Sequence, residues 1–171
     1  IDMPNTRPAT VSTEAVEAKM RRASEVSLAN YGFFIGATAD NIDALATADY
    51  SSIAGVKLFL GSSTGGMLLT EQEYLEKLFS TVPALIAVHA EDEAILRANR
   101  DAVVARYGEN LTMDFHPVIR NHRACFEASK RVVDLARRHN HRLHLLHVST
   151  ADELSLLHPG TPEDKLVTAE T

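Results

Sequence analysis

Two apolar runs in this sequence end on a histidine. "ALIAVHAEDE" closes at His89, and "HLLHVSTADEL" carries His147 at its exit, where small polar residues begin. Neutral imidazole is a good zinc ligand, and catalytic zinc sites take about three protein ligands while leaving one position open for water. Either histidine alone fits a satisfied core residue as well. Two at equivalent strand ends favour ligation, provided the strands that bear them, 58 residues apart, become neighbours. Lys57 sharpens the pattern because it interrupts the apolar run "GVKLFLG". A charged lysine is costly to bury, so this one should be paired with a carboxylate, neutralised or chemically modified.

Short apolar runs alternate with longer stretches of helical period, the signature of βα units feeding a parallel sheet. Helices are predicted over 13–31, 41–49, 70–82, 92–108 and 123–140, with a short one over 151–157, and strands over 32–38, 55–61, 84–90, 142–148 and 165–170. Thr70 with Glu73 reads as a capping box opening the third helix. The strands are nearly continuous apolar runs, as expected when both faces of a parallel strand are covered. Asn5, Lys57, His89 and His147 all fall at or near the C-terminal ends of predicted strands, where a (β/α) barrel or a doubly wound sheet keeps its site. No GxGxxG loop accompanies them, which favours the barrel. "GSSTGG" after Lys57 lacks the lysine and spacing of a phosphate-binding loop. One domain over 1–171 is expected.

Composition narrows the classes. A hydrophobic content of 45% supports a sizeable core, and a formal charge of -6 without a basic stripe argues against nucleic acid. Cys125 is the single cysteine, which excludes an internal disulfide, and no apolar run approaches the roughly 20 residues of a membrane span. A cytoplasmic setting is expected. The opening "IDMPNT" lacks a starting methionine and reads as the end of a strand under way, so further sequence is expected upstream.

"DMPNT", "GVKLFLGSSTGGM", "VHAEDE", "LHLLHVSTADEL" and "VTAET", in that order and spacing, resemble the dihydroorotases of the amidohydrolase superfamily over essentially the whole chain. The resemblance implies a TIM (β/α)8 barrel, here covering roughly strands 2 to 7. It implies two zinc ions per complete active site and reversible cyclisation of N-carbamoyl-L-aspartate to dihydroorotate in pyrimidine biosynthesis. In its terms Lys57 is the lysine that becomes N-carboxylated and bridges the metals, His89 and His147 are metal ligands, and Asn5 binds the substrate carboxylate. Read without the resemblance, Asn5 is a plain turn residue. A related hydantoinase or allantoinase, and a catalytically silent barrel serving as a structural partner, are the alternatives; a homodimer is compatible with each. The His-x-His pair of the family's first barrel strand and the shuttle aspartate of its last strand have no counterpart in the strands read here, so the chain by itself is expected to be inactive.

Other polar residues carry blander readings. Glu91, Asp92 and Glu93 follow His89 and could orient its imidazole, but an acidic first helical turn accounts for them about as well through the helix dipole, and the dipole is the preferred reading. His144, three positions from His147, should point away from it and pack. His139, His141 and His158 read as solvated loop residues, Cys125 has no base beside it, and His116, Arg120 and His122 are unassigned.

Overall fold

The computed structural model describes residues 1–61 and 66–171, so most of "GSSTGG" lies outside the described residues. Its helices are α1 (Thr13–Val26), α2 (Ile42–Thr47), α3 (Gln72–Thr81), α4 (Glu93–Tyr107), α5 (His116–Ile119) and α6 (His122–His139). Five strands, β1 (Phe34–Gly36), β2 (Gly55–Phe59), β3 (Ile86–His89), β4 (Leu143–Leu145) and β5 (Val167–Ala169), form a parallel sheet in the spatial order β1-β2-β3-β4-β5. A parallel bridge from Asp2 to Phe33 extends the sheet beyond β1. Spatial order that follows sequence order without a reversal is that of a barrel wall. A doubly wound sheet would reverse direction at a switch point.

The two faces differ. Val56, Leu58, Ile86, Val88, Leu143 and Leu145 share one cluster with Leu75, Leu78 and Phe79 of α3 and with Val132, Val133 and Leu135 of α6. Burying each such side chain is worth roughly 1.5–3 kcal/mol, so this layer supplies much of the stability. On the other face the pairing register aligns Gly36, Lys57, Ala87, His144 and Thr168 in one row. Phe34, Ala87 and Leu146 make a small separate cluster there, the inner side of the wall. No helix among the described residues is long and apolar enough to cross a membrane.

Local chemistry moves several boundaries. Helix α1 stops at Val26 because the Ser27 hydroxyl donates to the Ala29 carbonyl at 2.8 Å, a side-chain turn that competes with the helix. The Thr70/Glu73 box does not form. Leu68 bridges Phe59, which keeps the chain extended, α3 begins only at Gln72, and the Thr70 carbonyl accepts from Arg131 of α6 at 2.9 Å. Helix α6 opens on Asn121, whose side chain accepts from Ala124 N–H, and ends at Asn140 in the left-handed region at φ 50°. His139 and His141 are half-buried rather than solvated. Glu76 lies 2.6 Å from His139 Nε2 and the Val82 carbonyl 2.7 Å from His141 Nε2, whereas His158 is exposed.

Candidate metal centre

His89 is the last residue of β3, and strand alternation from Ala87 turns its ring to the inner face. The same alternation would send His147 outward with Leu143 and Leu145. It does not, because β4 ends at Leu145 and His147 takes φ 43°, a left-handed conformation that swings its ring inward. His89 Nδ1 and His147 Nε2 consequently face one another at 2.9 Å, with the rings edge-on and their centroids 4.8 Å apart. Burial, then the neighbouring His89, lower the His147 pKa from its ordinary value, with a further contribution from Lys57. The shift favours the neutral ring, the form that ligates metal.

Lys57 stands on the same face, two residues before Phe59, which pairs with His89. It is 2% exposed, and no carboxylate among the described residues pairs with it. Its ammonium donates to the Leu58 carbonyl at 2.9 Å and lies 3.9 Å from the centre of the Phe59 ring. Burial brings its pKa down to about 7. Of the fates open to a buried lysine, the carboxylate pair is therefore not what the described residues provide; burial instead brings the neutral amine within reach near neutral pH.

A cavity of about 290 Å³ opens beside the histidines, lined by Glu91, Arg120, Cys125 and Glu153 among others. Glu91 corrects the sequence reading. It precedes the N-cap of α4, Asp92, which accepts from Ile95 N–H; Asp92 and Glu93 serve the helix start, but Glu91 does not. It is 6% exposed, 2.7 Å from His89 Nε2, and grips both Arg120 Nε, at 2.8 Å, and Arg120 Nη2. Burial raises its pKa, yet the hydrogen bonds from His89 and Arg120 outweigh that and hold the carboxyl below its ordinary value. Gly61 makes the approach sterically feasible, since a side-chain carbon there would sit 2.8 Å from the Glu91 backbone oxygen. Burial, with Glu153 and Glu91 nearby, pushes the Cys125 thiol up to about 11, so it is no nucleophile. Glu153 is buried and satisfied by the Ser129 and Thr150 hydroxyls at 2.6 and 2.7 Å.

Lys57, His89 and His147 thus share one face, while Asn5 stands apart. It is exposed in a turn closed by Thr10 N–H donating to Pro4 at 2.9 Å, and no contact joins it to the other three among the described residues. His144, expected to point away and pack, instead stands in the inner-face row with Lys57 and Ala87, the side to which His147 turns, and polar groups hold it: Thr168 Oγ1 is 2.8 Å from its Nδ1 and Glu170 Oε2 3.4 Å from its Nε2. His116 and His122 are exposed; of the unassigned trio only Arg120 reaches the cavity.

Among the described residues no three His, Cys, Asp or Glu side chains converge on one point. The donor chemistry nonetheless fits a metal with a third ligand from elsewhere. At zinc–nitrogen lengths of about 2.0–2.1 Å, nitrogens 2.9 Å apart subtend about 90° at a shared ion, so a few tenths of an ångström of opening reaches tetrahedral geometry.

Known proteins share sequence and fold with this chain. No family model matches the chain. It is 28% identical over 160 residues to a dihydroorotase of Methanosarcina acetivorans, covering 92% of the chain and 33% of that relative. With an allantoinase of Streptomyces avermitilis it is 30% identical over 176 residues, 100% of the chain and 38% of the relative. The L-hydantoinase structure from Arthrobacter aurescens superposes with a TM-score of 0.86 at 25% identity, over 98% of the chain and 38% of that structure. The chain is a relative of the cyclic amidohydrolases. It has the fold of part of their TIM barrel, within the amidohydrolase superfamily, and spans little more than a third of the length of these cyclic amidohydrolases.

Proposed function

We propose that Lys57, His89 and His147 form part of the zinc centre of an enzyme that hydrolyses or closes cyclic amides. The observation that carries the reading is the 2.9 Å approach of two inward ring nitrogens beside a buried lysine without a carboxylate partner. Lys57, deprotonated at neutral pH in a substantial fraction, is suited to carboxylation. The amine lone pair bonds the carbon of carbon dioxide, one C–O π pair moves onto oxygen, and the amine proton passes to solvent. The product is an anionic oxygen ligand where an ammonium would repel a cation. His89 would ligate through Nδ1 and His147 through Nε2, with two zinc ions in the complete site. What the metals supply when bound is Lewis acidity toward water and the amide carbonyl.

Dihydroorotate is the proposed substrate, interconverting with N-carbamoyl-L-aspartate in pyrimidine biosynthesis. The sequence likeness to dihydroorotases supports it, and Asn5 offers amide donors for the substrate carboxylate. The fold likeness to an L-hydantoinase supports a second reading in which the ring is a hydantoin. Assaying the whole encoded protein with zinc on dihydroorotate, hydantoin and allantoin tests both. Ring opening of dihydroorotate well above the others is the expected result; preference for hydantoin selects the second reading, and no turnover of any ring contradicts both.

A further inference from the structure

We propose that Glu91, clamped by Arg120, is a positioning residue that fixes the tautomer of His89 and thereby commits Nδ1 to the metal. The inference rests on the zinc-centre reading above but concerns a residue outside its ligand set. Both Glu91 oxygens already accept from the Arg120 guanidinium, which has donors only, so the carboxylate faces His89 as an acceptor. At 2.7 Å from Glu91 Oε2, His89 Nε2 must therefore carry the ring proton. With Nε2–H assigned, Nδ1 of the neutral ring bears the free lone pair. The single proton in the 2.9 Å contact between the histidines then comes from His147 Nε2.

Arg120 makes the arrangement rigid. Its guanidinium meets both Glu91 oxygens in a planar two-point grip, across 29 residues of sequence. Asn99 donates to the Ile119 carbonyl at 2.9 Å, and Asp92 N–H donates to Ala124 at 3.0 Å, so both ends of the grip are tied to α4 and α6. Glu91 cannot rotate away from His89 without giving up Arg120. Carboxylates that orient ligating imidazoles in this way typically change metal affinity about 10- to 100-fold when removed.

The test uses the whole encoded protein and the variants Glu91→Ala, Glu91→Gln and His89→Ala. In metal-free protein, ¹⁵N chemical shifts of the imidazoles report the tautomer. Wild type should show His89 protonated at Nε2 only, and Glu91→Ala should show a mixture. Zinc affinity, measured by competition with a chromophoric chelator, should fall about 10- to 100-fold in Glu91→Ala and less in Glu91→Gln, whose amide oxygen still accepts. Glu91→Gln keeps the shape of the side chain and decides the matter if the alanine variant fails to fold. A purely structural Glu91 would lower the melting temperature and leave the tautomer and zinc affinity alone, which overturns the proposal. His89→Ala separates the two levels: if it binds zinc like wild type, the zinc-centre reading has failed, whereas zinc loss in His89→Ala alone refutes only the role of Glu91.

Discussion

His89 Nδ1 and His147 Nε2 approach to 2.9 Å although strand alternation assigns their side chains to opposite faces of the sheet. The left-handed backbone of His147, φ 43°, reconciles the two. This conformation costs roughly 1–2 kcal/mol for most residues, less for short polar side chains that bond locally, and most for β-branched ones. His147→Val should therefore be less stable than His147→Asn by about 1–2 kcal/mol, although both lose the imidazole contact. Paired denaturant titrations check it; equal midpoints would mean that the turn bears no strain.

Burial of Lys57 gives the metal-free protein a characteristic pH dependence. Its pKa falls from 10.5 to about 7 on folding, so between those values the unfolded chain holds the proton that the folded chain has released. Stability should rise as pH increases from about 7 to 10.5, and the full penalty should stand below pH 7. The depressed value corresponds to at most roughly 5 kcal/mol. Lys57→Met removes the penalty, so its advantage over wild type should be largest near pH 6 and vanish near pH 11. Unfolding free energies across that range provide the comparison; a constant difference would rule out the buried-amine account. In the presence of zinc the sign of the benefit reverses: Lys57→Ala should lose metal and turnover.

Asn5 is expected to act on substrate alone. It is exposed and has no side-chain hydrogen bond among the described residues, so Asn5→Ala should leave the melting temperature unchanged. Substrate binding should weaken by about 1–3 kcal/mol, the cost of leaving a charged partner unpaired. Steady-state kinetics on dihydroorotate would show a raised KM, and an unchanged KM returns Asn5 to a simple turn role.

The described residues offer three ligands, one of which exists only if Lys57 is carboxylated. A carbamate stabilised by two metals is lost when only one can be held, and the remaining ammonium repels the other ion. The 171-residue chain by itself is therefore expected to hold little zinc and to open no dihydroorotate. Atomic absorption and ring-opening assays compare it with the whole encoded protein, and robust turnover by the short chain would show the ligand set to be wrong.

Much of this was legible in the residues. The sheet order followed from alternating apolar runs and helical periods, and the histidines were visible because each closes a run of β-branched and aliphatic residues. The inward turn of His147 was not, since period-2 alternation points it outward and only the end of β4 at Leu145 frees it. Glu91 was misread because a carboxylate two residues before a helix looks the same in sequence whether it serves the dipole or an arginine 29 residues away. The Thr70/Glu73 box failed for a related reason: the bridge of Leu68 to Phe59 outweighs local capping. A signal for the clamp did exist, in Gly61, whose place beside Glu91 admits no side chain.

Zinc-edge X-ray absorption of the metal-loaded whole protein tests the central claim most directly. The account predicts an inner shell of nitrogen and oxygen at about 2.0–2.1 Å with the multiple-scattering pattern of imidazole, diminished in His89→Ala and again in His147→Ala. An inner shell that is the same in wild type and in both variants would contradict it.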